Sequence, residues 1–73
     1  MGPEKRATKN LAKYLRQFRL KKSWSQDELA YRMGSDRTYI SDMERGLRNP
    51  SLKTLAKLAH TLGVTIGDLC DDA

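Results

Sequence analysis

Apolar residues in this chain recur at intervals of three and four, the spacing of one face of an α-helix. The first such stripe consists of Leu11, Tyr14, Leu15 and Phe18. It predicts a helix that runs to about Lys22. No segment has a strand pattern, and there is no internal repeat or low-complexity stretch. The pattern therefore indicates an all-α chain, which we divide into five helices.

A second helix is predicted from residues 26 to 33, where signals for its start and its end both occur. Ser25, followed three residues later by Glu28, forms a capping box that satisfies free backbone donors. The apolar residues between these ends recur at helical spacing. Gly34 ends the helix, because glycine takes the left-handed backbone conformation without steric cost.

Only residues 34 to 36 remain as a turn before a third helix, which is predicted from Arg37 to Arg45. Asp36 is positioned to cap it. A turn that short holds two helices in close contact, and Ala30 is small enough to allow this. The unit is a helix-turn-helix, in which the second helix is the one that enters the major groove of DNA.

The third helix has an inward and an outward side when residues are placed at about 100° intervals. Ile40, Met43 and Glu44 fall on the inward side. The outward side carries donors and acceptors that match base edges. Its candidate base-reading residues are Arg37, Thr38, Tyr39, Ser41 and Asp42. A solvated amphipathic helix would show the same polar face, but the short turn favours the groove-reading interpretation.

Two further helices complete the prediction. The fourth follows Pro50, with Ser51 as its N-cap, and ends at Gly63. Its expected buried side is Leu52, Leu55, Ala56, Leu58, Ala59 and Leu62. Thr65 with Asp68 is a capping-box variant that begins a short last helix over residues 66–70.

Charge is distributed unevenly along the chain, which has 14 Lys and Arg, 9 Asp and Glu, and a formal net charge of +5. Residues 1–24 hold 8 basic side chains and 1 acidic one, whereas residues 25–49 hold 4 and 5. The basic part would attract a polyanion and the nearly neutral third helix would discriminate among sequences. We divide the chain into a basic tail, residues 1–7, expected to be disordered or loosely helical, and a DNA-binding domain, residues 8–71. Lys5, Arg6 and Lys9 fit a solvated surface and a phosphate-binding arm equally well.

From about residue 11 to residue 69, the chain resembles the phage-repressor-like (Xre-type) helix-turn-helix family. The resemblance lies in LRQFRLKKSWSQDELA, MGSDRTYISDMERG and NPSLKTLAKLAHTLGV. Within that family, DRTYIS followed by ERG is most similar to the controller proteins of restriction-modification systems. The resemblance implies a compact five-helix domain and a sequence-specific transcriptional regulator that binds a palindromic operator as a homodimer. Ser23 departs from the family, which usually has Gly at the end of the first helix.

A second set of side chains is expected to hold DNA phosphates. Gln26 begins the second helix, whose free backbone donors suit a phosphate, and the family resemblance gives its side chain the same role. The other candidates surround the following loop and the start of the fourth helix. They are Arg45, Arg48, Asn49, Ser51 and Lys53.

The C-terminal third offers a candidate dimer contact. A single reading helix covers only a half-site, and two copies related by a two-fold axis would make the operator palindromic. The candidates are Leu47, Val64, Ile66 and Leu69. The alternative, that Val64, Ile66 and Leu69 only complete the core, is equally compatible with the sequence, and the family resemblance favours the dimer contact.

Glu44 is also expected to be buried in an ion pair with Arg19. A lone carboxylate on the inward side of the third helix would be costly, and Arg19 follows Phe18 at the core edge of the first helix. The family resemblance points to the same two positions. The alternative is that Glu44 faces solvent or pairs with Arg45 or Arg48.

The sequence offers little for other function classes. No nucleophile has a His at motif spacing, and no phosphate loop or metal-ligand cluster occurs, so we expect neither an enzyme nor a cofactor, metal or small-molecule ligand. His60 is interpreted as solvated, and Cys70 as a small apolar side chain. No membrane-spanning run or signal peptide is found, which predicts a cytoplasmic, nucleoid-associated protein. The competing function is a protein-interaction module, such as an antitoxin or adaptor, with the same fold.

Overall fold

Five α-helices make up the part of the chain that the structure, a computed structural model, describes: residues 3–70, with side chains from residue 10 onward. They are α1 Pro3–Lys21, α2 Gln26–Met33, α3 Arg37–Glu44, α4 Leu52–Leu62 and α5 Ile66–Cys70. These residues contain no strand, and the predicted all-α, five-helix fold with a helix-turn-helix at α2 and α3 is confirmed.

The first helix begins earlier than its apolar stripe indicated. Because α1 starts at Pro3, most of the segment assigned to a basic tail has a helical backbone. The side chains of Lys5, Arg6 and Lys9, together with residues 1–2 and 71–73, lie outside the described residues. The division of the chain at residue 7 stays a prediction.

A single core joins all five helices. α1 packs against α3 and α5, α2 packs against α3 and α4, and α4 packs against α5. The largest fully buried side chains are Leu15, Leu29, Ile40, Met43, Leu58, Leu62 and Leu69. Because α3 is covered from behind by α1 and α2, its opposite side is left as surface.

Side-chain caps determine where the helices begin. The Ser25 hydroxyl accepts the Glu28 N–H at 3.0 Å, and the Asp36 carboxylate accepts the Tyr39 N–H at 2.8 Å. Ser51 caps α4 in the same way. At α5, the Thr65 hydroxyl accepts the Asp68 N–H at 3.0 Å, and the Asp68 carboxylate accepts the Thr65 N–H at 2.9 Å. The four predicted N-caps are confirmed, but only half of the capping box at Ser25 is formed, because the Glu28 carboxylate lies 2.8 Å from Nε of Arg32.

The helices α1 to α4 also end alike, with a left-handed residue and two N–H groups that bond back onto the last turn. At the end of α3, Gly46 has a φ of 75°, and the Leu47 N–H donates to the Asp42 carbonyl at 2.8 Å. At the end of α1 the left-handed residue is Ser23, with a φ of 60°. The departure from the family pattern therefore falls on a position that glycine would occupy with less strain.

The buried side of α4 is smaller than predicted. Leu58, Ala59 and Leu62 are buried, but Leu52 is 70% exposed and Ala56 is also exposed. All three buried residues lie in the second half of the helix. Helical spacing identifies the apolar side of a helix, whereas the neighbouring helices decide how much of that side is covered.

Candidate nucleic-acid interface

The turn between α2 and α3 positions the start of α3 at the surface. Gly34 takes a φ of 67°, and the Ser35 N–H donates to the Ala30 carbonyl at 2.9 Å, which closes the end of α2. Two residues later Asp36 caps α3. Arg37 and Thr38 follow at once and are exposed, so the first turn of α3 presents its side chains to solvent.

A buried ion pair attaches the back of α3 to α1. The Nε of Arg19 lies 2.5 Å from Oε2 of Glu44, and the Nη2 of Arg19 lies 2.9 Å from Oε1. Their side chains are only 9% and 5% exposed. The hydrogen bond to Glu44 raises the pKa of Arg19, against the lowering effect of burial. The predicted pair is confirmed, and the alternative partners, Arg45 and Arg48, were wrong.

Two more contacts complete this buried cluster. The Nη1 of Arg19 donates to the backbone carbonyl of Trp24 at 2.8 Å, which ties the guanidinium to the connection between α1 and α2. The amide nitrogen of Gln26 donates to Oε1 of Glu44 at 3.2 Å. Arg19 of α1 and Gln26 of α2 thus both bind the carboxylate of Glu44 on α3.

The Gln26 contact bears on the phosphate role that the sequence suggested. Its side chain is half-buried and directed toward Glu44, not free in solution. The carboxamide has a second N–H, so a phosphate contact by Gln26 stays a prediction. The sequence analysis missed the link to Glu44, because no local spacing relates residues 26 and 44.

The candidate base-reading residues all lie outside the buried side of α3. Arg37 and Thr38 are exposed, whereas Tyr39, Ser41 and Asp42 are partly exposed. The buried residues of this helix are Ile40 and Met43, as predicted. The structure thus leaves the candidate set accessible, and its contacts with bases stay a prediction.

The remaining phosphate candidates are exposed around the loop from α3 to α4. They are Arg45, Arg48, Asn49, Ser51 and Lys53. The hydroxyl of Ser51 already accepts the backbone N–H of Thr54 and lies 3.1 Å from the Thr54 hydroxyl. A phosphate at Ser51 would accept its one O–H and so compete with the Thr54 hydroxyl, whereas the cap, in which Ser51 is the acceptor, could remain.

Arg48 behaves differently from the other loop residues. Its guanidinium carbon lies 4.8 Å from the centroid of the Tyr39 ring, and its Nε lies 3.9 Å from Oδ2 of Asp42. The loop is thus folded back onto the candidate reading residues. Sequence reasoning gave no signal for this contact.

The candidate dimer residues divide into two groups. Leu69 is fully buried, so its assignment to an intermolecular contact was wrong: the side chain of this α5 residue completes the core. Val64 and Ile66 are half-buried, and Leu47 is 63% exposed. The sequence analysis missed Leu52, which is exposed at the other end of the same loop.

Two other residues singled out by the sequence lie on α4 and α5. His60 is exposed on α4. Cys70 is half-buried against the core, and this burial raises the pKa of its thiol. Over residues 3–70, no helix has the length and apolarity that crossing a membrane would require.

Comparison with known proteins gives a consistent result. Residues 15–69 match the model of the helix-turn-helix family. Over 58 residues, the chain is 52% identical to the control protein C.BamHI of Bacillus amyloliquefaciens, a match that covers 78% of this chain and 72% of that protein. The fold is similar to the crystal structure of the restriction-modification controller protein C.AhdI from Aeromonas hydrophila, with a TM-score of 0.79 and 39% identity over 85% of this chain and 90% of that chain.

An enzyme is also among the similar structures. The hydroxypropylphosphonic acid epoxidase from S. wedmorenis has a TM-score of 0.89 and 28% identity over 94% of this chain, but over only 37% of its own length. The likeness is therefore to one part of that enzyme.

Proposed function

This chain belongs to the helix-turn-helix family, and on that premise we propose that it is a sequence-specific DNA-binding transcriptional regulator of the restriction-modification controller type. It acts as a homodimer on a palindromic operator, in the cytoplasm where the nucleoid lies, and it catalyses no reaction. The observation that carries this proposal is the presentation of α3. Its back is attached to α1 and α2 through Glu44, while Arg37 and Thr38 are exposed at its first turn.

The first experiment asks whether the chain binds DNA. A gel shift with random genomic fragments is repeated over a series of salt concentrations. For a DNA-binding protein, the logarithm of the binding constant falls linearly with the logarithm of the salt concentration, because binding releases counterions from the DNA. We expect such a slope. A protein-interaction module would give no retarded complex, and that result would refute the proposal.

Arg37 is the best candidate for reading a base. In this motif the N-terminal part of the second helix enters the groove, and a guanidinium can make two hydrogen bonds to guanine. Such a contact contributes about 1 to 3 kcal/mol of discrimination, which is about 5- to 150-fold in affinity. Thr38 lies beside it and is also exposed, and the partly exposed Tyr39, Ser41 and Asp42 follow along α3.

Two substitutions at Arg37 separate base reading from phosphate binding. The operator is first obtained by selection from a random oligonucleotide pool. We expect Arg37→Ala to weaken binding to the operator more than binding to random DNA. Arg37→Lys keeps the charge but lacks the rigid planar fork of the guanidinium, so it should preserve affinity for random DNA and lose part of the discrimination. Equal losses on both DNAs would make Arg37 a phosphate anchor.

Lys53 tests the phosphate contacts. It is exposed at the start of α4, next to the loop that carries Arg45 and Asn49. Lys53→Ala should weaken binding to all sequences alike and lower the salt slope by about one unit. An unchanged slope would remove Lys53 from the interface.

Dimerisation explains how so small a domain could select one operator. The exposed Leu47 and Leu52 and the half-buried Val64 and Ile66 supply apolar surface on the C-terminal part of the chain. Two reading helices about one DNA turn (~34 Å) apart would then contact both half-sites.

Sedimentation equilibrium at micromolar concentration measures the assembly. We expect a dimer for the wild type and a monomer for Ile66→Glu and Leu52→Glu, because a carboxylate would be buried without a partner. A wild type that stays monomeric and binds half-sites without cooperativity would refute this part of the proposal.

A further inference from the structure

The guanidinium of Arg48 contacts two candidate reading residues at once. It is stacked 4.8 Å from the ring centroid of Tyr39, and its Nε lies 3.9 Å from the Asp42 carboxylate. Tyr39 and Asp42 are three residues apart on α3 and are therefore neighbours on its surface. The side chain of Asp42 is 26% exposed, whereas that of Arg48 is 54% exposed. Arg48 thus covers part of the surface formed by the candidate base-reading residues of α3.

The end of α3 explains why a loop residue reaches this position. The Leu47 N–H bonds to the carbonyl of Asp42 at 2.8 Å, and the Gly46 N–H bonds to the carbonyl of Met43 at 3.1 Å. These bonds reverse the chain direction immediately after the helix. Arg48 follows the reversal and lies beside Asp42. The same turn therefore holds the backbone of Asp42 and brings a cation to its carboxylate.

The carboxylate of Asp42 would otherwise oppose the proposed DNA binding. A negative charge beside the phosphates repels them, and α3 carries Asp42 on its accessible side. The cation of Arg48 offsets that charge locally. An exposed pair of this kind contributes little to folding stability. Its role is therefore to be sought in its position beside the candidate base-reading residues of α3.

We propose that Arg48 is a positioning residue for DNA reading: it holds Tyr39 and Asp42 in one arrangement and neutralises Asp42. Selectivity at the base pairs near these two side chains then depends on a residue that acts through them. This inference rests on the proposed DNA-binding function. It replaces the simpler role of Arg48 as an anchor for a phosphate.

A double-mutant cycle separates the two roles. The wild type, Arg48→Gln, Asp42→Asn and the double variant are compared on the selected operator and on a random duplex, over a range of salt concentrations. We expect Arg48→Gln to lose more affinity for the operator than for the random duplex. In the Asp42→Asn background, the same substitution should cost at least about twofold less, because no carboxylate is left unpaired. The double variant removes both charges, so its salt slope should equal that of the wild type.

Two control variants sharpen the comparison. Arg45→Gln removes one positive charge from the exposed end of α3, three residues from Arg48. It should weaken both DNAs alike and lower the salt slope by about one unit. Arg48→Lys keeps the charge but loses the planar stacking surface. It should therefore still neutralise Asp42, and its discrimination between the two DNAs should lie between those of the wild type and Arg48→Gln.

The free protein supplies a readout that needs no DNA. The side-chain protons of Arg48 should show an upfield ring-current shift in NMR spectra of the wild type, and Tyr39→Leu should abolish it. Absence of the shift would overturn the inference and leave the proposed function intact. The inference would also be overturned if the affinity losses in the double-mutant cycle were additive and equal on both DNAs, with a lower salt slope. Failure of the wild type to bind any DNA would overturn the proposed function, and the inference with it.

Discussion

Glu44→Gln should be the most damaging conservative substitution in this chain. The variant keeps the shape of the side chain but removes the charge that faces Arg19, and the two side chains are only 5% and 9% exposed. Removing one partner of a buried pair costs about 3 to 5 kcal/mol, since the other charge is left without compensation. A domain of this size has a total margin of only about 3 to 5 kcal/mol. The variant should therefore be largely unfolded or close to it at 37 °C.

The same magnitude can be expressed as a melting temperature. For a domain of 60 to 100 residues, 1 kcal/mol corresponds to about 4 to 8 °C. A loss of about 3 kcal/mol thus lowers Tm by about 12 to 24 °C. Thermal melts are followed by circular dichroism and by the fluorescence of Trp24, the only tryptophan in the chain. Trp24 accepts a hydrogen bond from Arg19 through its carbonyl, so both signals should change together.

Glu28→Gln is the matched control. Oε2 of Glu28 lies 2.8 Å from Nε of Arg32, one helical turn away, and these side chains are 41% and 46% exposed. An exposed pair of this type contributes about 0.3 to 0.5 kcal/mol, which corresponds to a few degrees. Arg19→Met should resemble Glu44→Gln, because it leaves the carboxylate unpaired. If Glu44→Gln and Arg19→Met both melt within a few degrees of Glu28→Gln, the reasoning about burial is refuted.

Three further outcomes follow from local features. Ser23→Gly should raise Tm by several degrees, because it relieves an L-residue at a φ of 60°; an unchanged or lower Tm would contradict the proposed strain. Asp36→Ala should lose about 0.5 to 2 kcal/mol of unfolding free energy in urea titrations, since α3 loses its N-cap; no loss would mean that the cap is dispensable. Cys70 should react with iodoacetamide at pH 8 more slowly in the folded protein than in urea, because burial raises the pKa of its thiol and so lowers the thiolate fraction. Equal rates would show that the thiol is accessible and unperturbed.

Local chemistry accounts for what the sequence alone could predict. Ser25, Asp36 and Ser51 mark helix starts by hydrogen bonds that span three residues. Glycine at 34 and 63 marks helix ends through the backbone conformation of single residues. These signals, with the spacing of apolar residues, determine five helices and the turn between α2 and α3. That the inward Glu44 needs a buried cation also follows from local spacing, and the family resemblance pointed to Arg19 as that cation.

Tertiary packing decided the features that no short segment contains. Leu52 and Leu69 lie on apolar sides of their helices, yet one is exposed and the other fully buried, because neighbouring helices cover α5 more completely than the first turn of α4. The bond from Gln26 to Glu44 and the return of Arg48 to Tyr39 depend on how the chain turns between helices. Periodicity describes one helix at a time, whereas burial and charge pairing are properties of the surfaces that several helices form together.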